Sequence, residues 1–193
     1  MTEVNFNETI DGYRGAIGEL VFKKYKGRII VCRKPRFTKP PSPLQIAERA
    51  HFKEAVAYAQ SVKADPVARA FYEPIAKERD TCVYWLAIKD FRCAPSILPL
   101  DLSNYEGQVG DKITIRAVDV IGLANVEVNM LTQDGTLIEQ GPAIEDGVRS
   151  GKWIYSASRQ VGRGTHIFIE VVGVDHAGNK AQQTESPRIG MGE

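Results

Sequence analysis

Cysteine is scarce in this sequence, and its scarcity excludes one class of protein. The 193 residues include only three cysteines, Cys32, Cys82 and Cys93. So small and odd a number excludes a disulfide framework, which needs paired cysteines. We predict reduced, partly buried thiols, because free cysteine packs as a small hydrophobic residue.

Long apolar runs are also missing. No run approaches 18 residues, so the sequence contains no candidate membrane-spanning helix. The opening stretch MTEVNFNETIDG lacks the basic start and the apolar segment of a signal peptide. We therefore expect a protein that is made and kept in the cytoplasm, without a membrane partner. Incorporation into a particle or release by a leaderless route is the alternative.

Histidine is as rare as cysteine. The three histidines are scattered, and none has the cysteine, histidine or glutamate neighbours that a zinc site requires. His51 lies on the apolar stripe of a predicted helix, and we interpret it as a core histidine bonded to a neighbour. His176 belongs to a turn. No set of residues has the spacing that catalysis needs, so the sequence predicts no enzyme, no catalytic residue and no cofactor.

Three acidic residues are candidate cation ligands. If Asp119, Glu127 and Asp175 meet at one end of a β-sandwich, their carboxylates would suit Ca²⁺. Turn capping and solvation account for the same residues without an ion. We favour the second interpretation and predict no metal site.

Charge is unevenly divided along the chain, although the net charge is only +1. Residues 1–100 hold 17 basic and 11 acidic side chains, a net +6, whereas residues 101–193 hold 8 and 13, a net −5. Such a split is typical of two modules with different partners. It also permits self-association, with the basic half of one copy against the acidic half of another.

Much of the positive charge lies in a predicted β-hairpin over residues 19–34, with its turn at Lys26-Gly27. Three interpretations compete for this hairpin. The cations contact an acidic protein surface such as another copy, they follow a nucleic-acid backbone while Tyr25 and Phe37 stack on bases, or they are only solvated. We favour the first. Eight cations and no acidic residue occur between positions 23 and 39: Lys23, Lys24, Lys26, Arg28, Arg33, Lys34, Arg36 and Lys39.

Helical signals follow the hairpin. Ser42 and Gln45 form a capping box that starts a helix running to about Lys63. Asp65-Pro66 starts a second helix, which should be short or kinked because Pro74 cannot donate a backbone hydrogen bond. A third, mostly apolar helix is predicted from about Thr81 to Phe91, and its composition indicates burial.

From Ala94-Pro95-Ser96 onward the apolar period changes from 3.6 to 2. Short alternating strands with turns such as 133–136 predict an antiparallel β-sandwich. The predicted fold class is therefore α+β. It comprises a basic hairpin and helical module over residues 1–97, a sandwich over 98–188 and a tail over 189–193.

Two stretches of the second half resemble bacterial immunoglobulin-like domains. Residues 119–128, DVIGLANVEV, are similar to that family's entry to a sandwich strand, and residues 172–179, VGVDHAGN, to its last turn. The resemblance implies an immunoglobulin-like β-sandwich that serves as a spacer, an adhesive module or a virion decoration. The first half vaguely resembles small uncharacterised prophage and bacterial proteins, through its glycine-rich start, its basic hairpin and its helix opening.

These observations predict a non-enzymatic structural protein. We expect it to self-associate as a homo-oligomer, or to join other proteins in a larger phage-like or filamentous particle. The first alternative is a nucleic-acid-binding accessory protein that uses the basic hairpin. The second is a carbohydrate- or surface-binding module with Trp153 and Tyr155 as a sugar platform, although their alternation favours a core role for Trp153.

Overall fold

A computed structural model describes residues 2–3, 15–25, 27–36 and 39–190. The chain divides into two compact units, residues 1–46 and 47–193. The first unit carries a small antiparallel sheet, and the second carries helices and a β-sandwich, so the α+β class is confirmed. Among the described helices, none is long and apolar enough to cross a membrane.

The first unit contains the predicted hairpin within a four-stranded sheet. Tyr25 pairs with Arg28 across the turn, and Gly27 has φ +80°, a conformation that favours glycine. The strand order is β1-β4-β3-β2, and all the pairings are antiparallel. The strands are β1 Thr2–Glu3, β2 Gly15–Ile17, β3 Leu20–Tyr25 and β4 Arg28–Arg33.

Three helices follow, α1 Pro43–Ala64, α2 Pro66–Glu78 and α3 Val83–Arg92. The capping box at the start of α1 is confirmed, since the amide of Gln45 donates to Ser42 Oγ over 3.2 Å and the amide of Ser42 donates to Gln45 Oε1 over 3.1 Å. Asp65 caps α2 through the amide of Val67. Helix α2 continues through Pro74 for one more turn instead of ending there.

The helices of the second unit share one core with a loop of the sandwich. Helix α1 contributes small residues, Ala55 and Ala59, which allow close approach of the other helices. Ile121, from the loop after the second sandwich strand, is buried in the same cluster. The other buried members are Val62, Tyr72, Ile75, Ala76, Leu86, Ala87 and Ile88. This shared core packs the helices against one end of the sandwich.

The sandwich consists of two four-stranded antiparallel sheets, with orders β5-β6-β10-β9 and β12-β11-β7-β8. Inward side chains alternate with outward ones, as the period of two predicts; Ile113, Ile115 and Val128 are among those fully buried. The strands are β5 Ser96–Ile97, β6 Lys112–Val118, β7 Leu123–Thr132, β8 Leu137–Pro142, β9 Ile144–Glu145, β10 Lys152–Ser156, β11 Ile167–Asp175 and β12 Lys180–Glu185.

Three side chains differ from the sequence-based expectation. Cys82 and Cys93 are exposed, and only Cys32 is partly buried. His51 is also exposed, with its ring centroid 5.7 Å from that of Phe91, so its interpretation as a core histidine was wrong. The buried stripe of α1 begins only at Ala55, one turn beyond His51.

Candidate functional sites

The predicted basic residues lie on the sheet of the first unit and on the segment that follows it. Seven of them, Lys23, Lys24, Arg28, Arg33, Lys34, Arg36 and Lys39, are exposed; the eighth, Lys26, lies outside the described residues. Arg36 forms an ion pair with Glu19 over 3.0 Å. Both partners are exposed, so this pair contributes little to stability.

The strand register distributes the cations over both faces of the sheet. Lys23 and Arg28 share one face, because Tyr25 pairs with Arg28 and alternate residues of a strand face opposite sides. Lys24 and Arg33 share the other face. The hairpin is therefore positively charged on both sides rather than on a single phosphate-binding surface.

Strands β2, β3 and β4 of the same sheet enclose no buried core in the part of the chain that the structure describes. None of the described residues between positions 15 and 46 is buried. The apolar side chains of Ile17 and Leu20, which pair across β2 and β3, are 59% and 41% exposed. In the sandwich, by contrast, β6, β7 and β11 each bury one of their two faces.

A second candidate site, which we call the carboxylate cluster, lies in the second unit where the helices meet the sandwich. It consists of Asp90, Asp119 and Asp175, each of which offers a carboxylate oxygen within 4.8 Å of those of the other two. Asp90 comes from α3, Asp119 from the β6–β7 loop and Asp175 from the end of β11. Asp90 and Asp175 are buried.

Backbone turns hold two of these carboxylates in place. One oxygen of Asp119 accepts hydrogen bonds from the amides of Ile121 and Gly122, over 3.0 and 2.9 Å. Asp175 accepts from the amide and the side chain of Asn179, over 2.7 and 2.8 Å. The turn and loop motifs of the sequence thus position two carboxylates at one end of the sandwich.

Asn179 also connects the last turn of the sandwich to α3. Its side-chain nitrogen lies 3.3 Å from the carbonyl oxygen of Asp90 and 3.2 Å from that of Phe91. These carbonyls belong to the last turn of α3, where the helix offers no amide donor four residues further along. His176, in the same turn, places its ring 4.1 Å from that of Phe71 on α2, and burial lowers its pKa.

Asp90 is held by a chain of tyrosine hydroxyls. Tyr72 Oη donates to Asp90 Oδ2 over 2.7 Å. The Tyr58 hydroxyl lies 2.8 Å from that of Tyr72 and 3.1 Å from the carbonyl oxygen of His176. The pKa of Asp90 is raised to about 7, mainly by burial and in smaller part by the nearby charges of Asp119 and Asp175, against the lowering effect of the Tyr72 hydrogen bond. Burial also raises the pKa of both tyrosines.

Replacing Tyr72 with phenylalanine should destabilise the second unit by about 2 kcal/mol, the usual cost of leaving a buried partner without its donor. The Tyr72→Phe variant keeps the ring but leaves the Asp90 carboxylate without the hydroxyl. Urea unfolding followed by circular dichroism measures the loss. Tyr84→Phe is the matched control, since the Tyr84 ring contacts Trp85 and its hydroxyl forms no hydrogen bond within the described part of the chain. Equal stability of the two variants would contradict the role of the hydroxyl.

The structure unites only part of the acidic set named from the sequence. Asp119 and Asp175 do converge, whereas Glu127 lies on the outward side of β7, where it accepts from Gln140 over 2.7 Å. Asp90 was missed. The periodicity of α3 contained a signal for it, because Asp90 falls three and four residues after the buried Ala87 and Leu86.

The aromatic pair proposed as a sugar platform is not available at the surface. Trp153 and Tyr155 are 7% and 4% exposed and belong to the core between the two sheets. Neither can present a ring face to a sugar. The core role that strand alternation favoured for Trp153 applies to Tyr155 as well.

No protein-family model matches the sequence, and no curated protein matches it either. Two solved structures show limited similarity. An engineered protein is 16% identical over 43% of this chain and 17% of its own length, with a TM-score of 0.35. CopC from Methylosinus trichosporium OB3b is 10% identical over 51% of this chain and 98% of its own, with a TM-score of 0.37. This chain thus spans about a sixth of the engineered protein.

Proposed function

We propose that this chain is a non-enzymatic structural protein that assembles with copies of itself through the sheet of residues 15–33. Assembly with other proteins of a larger phage-like or filamentous particle would use the same surface. The observation that carries the proposal is a four-stranded sheet with apolar side chains and no buried residue among its described positions from 15 to 33.

Such a sheet gains stability when a face is covered. Small sheets need an apolar face packed against another element to be stable in water. Ile17, Leu20 and Phe22 lie on one face of this sheet together with Ile29 and Val31 of β4. Leu44 and Ile46, at the start of α1, are exposed as well. Exposed apolar surface of this kind is typical of an interaction site.

The opposite net charges of the two units favour a second copy of the chain as the partner. Residues 1–46 hold nine basic and four acidic side chains, a net +5, and residues 47–193 hold 16 and 20, a net −4. The basic sheet of one copy is therefore attracted to the acidic sandwich unit of another, and the attraction fixes the register of association. Contacts of one surface with a different surface generate rings or filaments.

We also propose that the sandwich is immunoglobulin-like, which suits a spacer or decoration module. The strand orders support this assignment. With β5 to β12 taken as strands A, B, C, C′, D, E, F and G, the two sheets read A-B-E-D and G-F-C-C′, the arrangement of immunoglobulin domains. Gly173 packs closely in the core, since a Cβ there would lie 2.8 Å from Leu123 Cδ1 and require that side chain to shift.

Size-exclusion chromatography with light scattering tests the assembly. The nuclease-treated protein is expected to form oligomers at low salt that dissociate in high salt, because screening weakens charge attraction. In the double variant Ile17→Ser/Leu20→Ser, the dissociation constant of the oligomer should rise at least about tenfold, since each side chain buries an apolar surface on association.

A matched control removes exposed apolar residues from the sandwich unit. Ile144→Ser/Val148→Ser replaces two exposed aliphatic side chains outside the sheet of the first unit. It should associate as the parent does. A parent protein that remains monomeric at high concentration in low salt would refute the proposal, and so would equal loss of association in both double variants.

Nucleic-acid binding is the second candidate, and one observation favours it. Lys23, Tyr25 and Arg28 lie on the same face of the hairpin, where two cations flank an aromatic ring. The same chromatography with added DNA distinguishes the two functions. A salt-sensitive DNA complex formed by the parent, and lost on Lys23→Ala, would favour the nucleic-acid function over contact between copies.

A further inference from the structure

The carboxylate cluster has the composition of a cation site. Asp90, Asp119 and Asp175 bring three carboxyl groups together in a largely buried position, with ligand oxygens no more than 4.8 Å apart. Two ligands of one Ca²⁺ ion lie at most about 5 Å from each other, because each Ca²⁺–oxygen bond measures about 2.3–2.6 Å. We propose that these three aspartates bind a Ca²⁺ ion that joins α3 to the end of the sandwich.

Carboxylate oxygens of the cluster that have no hydrogen-bond partner are a second, independent indication of a bound cation. Asp90 is 0% exposed, and its Oδ1 has no hydrogen-bond partner, although its Oδ2 accepts from Tyr72. Asp119 repeats the pattern, with Oδ2 bound to two amides and a buried Oδ1 left over. Buried carboxylate oxygens in folded proteins almost always have a partner, and a bound ion supplies one where the protein offers no donor.

No counter-charge to these groups is found in an ion pair among the described residues. None of the ion pairs that the described part of the chain forms includes Asp90, Asp119 or Asp175. Three buried or half-buried carboxylates without a cation repel one another. A divalent cation would cancel most of the charge.

The donor set selects the kind of ion. All three ligands are carboxylates, and no cysteine or histidine nitrogen belongs to the cluster, so hard cations are preferred over zinc and copper. Ca²⁺ tolerates an irregular shell of about six to eight oxygens, whereas Mg²⁺ demands a near-octahedral one. Ligands from a helix, a loop and the end of a strand favour the more tolerant ion. This departs from the sequence-based prediction of no metal site.

The position of the ion gives it a structural role. Its ligands come from α3, from the β6–β7 loop and from the end of β11, which are 29 and 56 residues apart along the chain. An ion bound by all three fixes the helical layer against the sandwich. Ligand binding to the native state alone stabilises that state in proportion to the logarithm of ligand concentration.

Calcium titration of the full chain, first stripped with a chelator, tests the proposal. Adding CaCl₂ at millimolar concentration should raise the melting temperature by several degrees, and MgCl₂ should raise it less. Tb³⁺, which replaces Ca²⁺, should show luminescence sensitised by tyrosine, because the Tyr72 hydroxyl bonds directly to Asp90. An unchanged melting temperature together with absent Tb³⁺ luminescence would overturn the proposal without bearing on self-association.

Asp119→Asn locates the site. Its amide oxygen can still accept from Ile121 and Gly122, so the loop is retained while one ligand charge is lost, and Ca²⁺ affinity should fall at least about tenfold. Asp101→Asn is the matched control, an aspartate that caps an exposed turn through Ser103 outside the cluster. Retention of full Ca²⁺ affinity by Asp119→Asn would overturn the assignment. If that variant fails to fold, the tyrosine-sensitised Tb³⁺ signal of the parent chain decides.

Discussion

Gly107→Ala is expected to destabilise the sandwich unit by about 4 kcal/mol, the sum of backbone strain and overpacking. Gly107 has φ +85°, which costs an alanine roughly 1–2 kcal/mol. A Cβ there would lie 2.6 Å from Ile189 Cγ2 and 2.9 Å from the carbonyl oxygen of Val161. That carbonyl belongs to the backbone segment whose amide donates to Gly107, so it has little freedom to withdraw.

Gly110→Ala provides the control for this prediction. Gly110 has φ +90°, and a Cβ built on it meets nothing within 4 Å. Its substitution should therefore cost only the backbone strain, about 1–2 kcal/mol. Thermal and urea unfolding of the two variants separate strain from collision; melting temperatures should differ by roughly 5–10 °C. Equal losses would show that the space around Gly107 is not constrained.

Glu139→Ala should cost about 3 kcal/mol, because it removes a buried carboxylate that accepts three hydrogen bonds. Glu139 is 5% exposed, and one of its carboxylate oxygens accepts from three donors. These are the amide and hydroxyl of Ser158, over 2.8 and 2.5 Å, and the amide of Arg159, over 2.9 Å. The carboxylate thus fixes the β10–β11 loop to strand β8, and its removal should loosen that loop first.

Hydrogen exchange at Ser158 and Arg159, together with urea unfolding, measures both effects. Glu127→Ala is the control, since Glu127 lies on the outward face of the neighbouring strand with a side-chain partner, Gln140. Its loss should change the free energy of unfolding by less than about 0.5 kcal/mol. Protection of the two amides that is unchanged by Glu139→Ala would contradict the structural role of this carboxylate.

Features encoded by neighbouring residues were predictable from the sequence. The hairpin turn at Gly27 and the capping box of Ser42 and Gln45 depend on residues within three positions of each other. The alternation of β7 and β11 follows from the burial of one side of each sheet. Local turn and cap residues and the amphipathic period determine where such elements form, and both can be recognised in a single sequence.

Convergence of distant residues was only partly predictable. Asp119 and Asp175 were recognisable because each belongs to a turn motif of the sandwich, and sandwich loops gather at two ends. Asp90 lies on a helix whose packing against those loops has no local signal. Glu127 was wrongly included because its carboxylate follows the alternation of β7 outward, away from the loops.

Burial at the start of the chain was equally hidden. The apolar residues of β3 and β4 predict strands, but they do not show whether a second layer covers them within one chain. The apolar period of α1 predicts that the whole stripe that includes His51 is buried. Only the C-terminal half of the stripe, from Ala55 onward, is buried against other helices. The apolar period of a helix or strand identifies the face that can be buried, and the tertiary structure determines whether that face is buried.

The contribution of Ile121 to the helical core has a consequence for the order of synthesis. Translation delivers α1, α2 and α3 first, at about 5–20 residues per second, and Ile121 emerges 29 residues after Arg92. Asn179, which binds the end of α3, emerges later still. On the ribosome, the helices therefore wait several seconds for the loop that completes their packing, and in that interval a nascent chain is most exposed to chaperones and to aggregation.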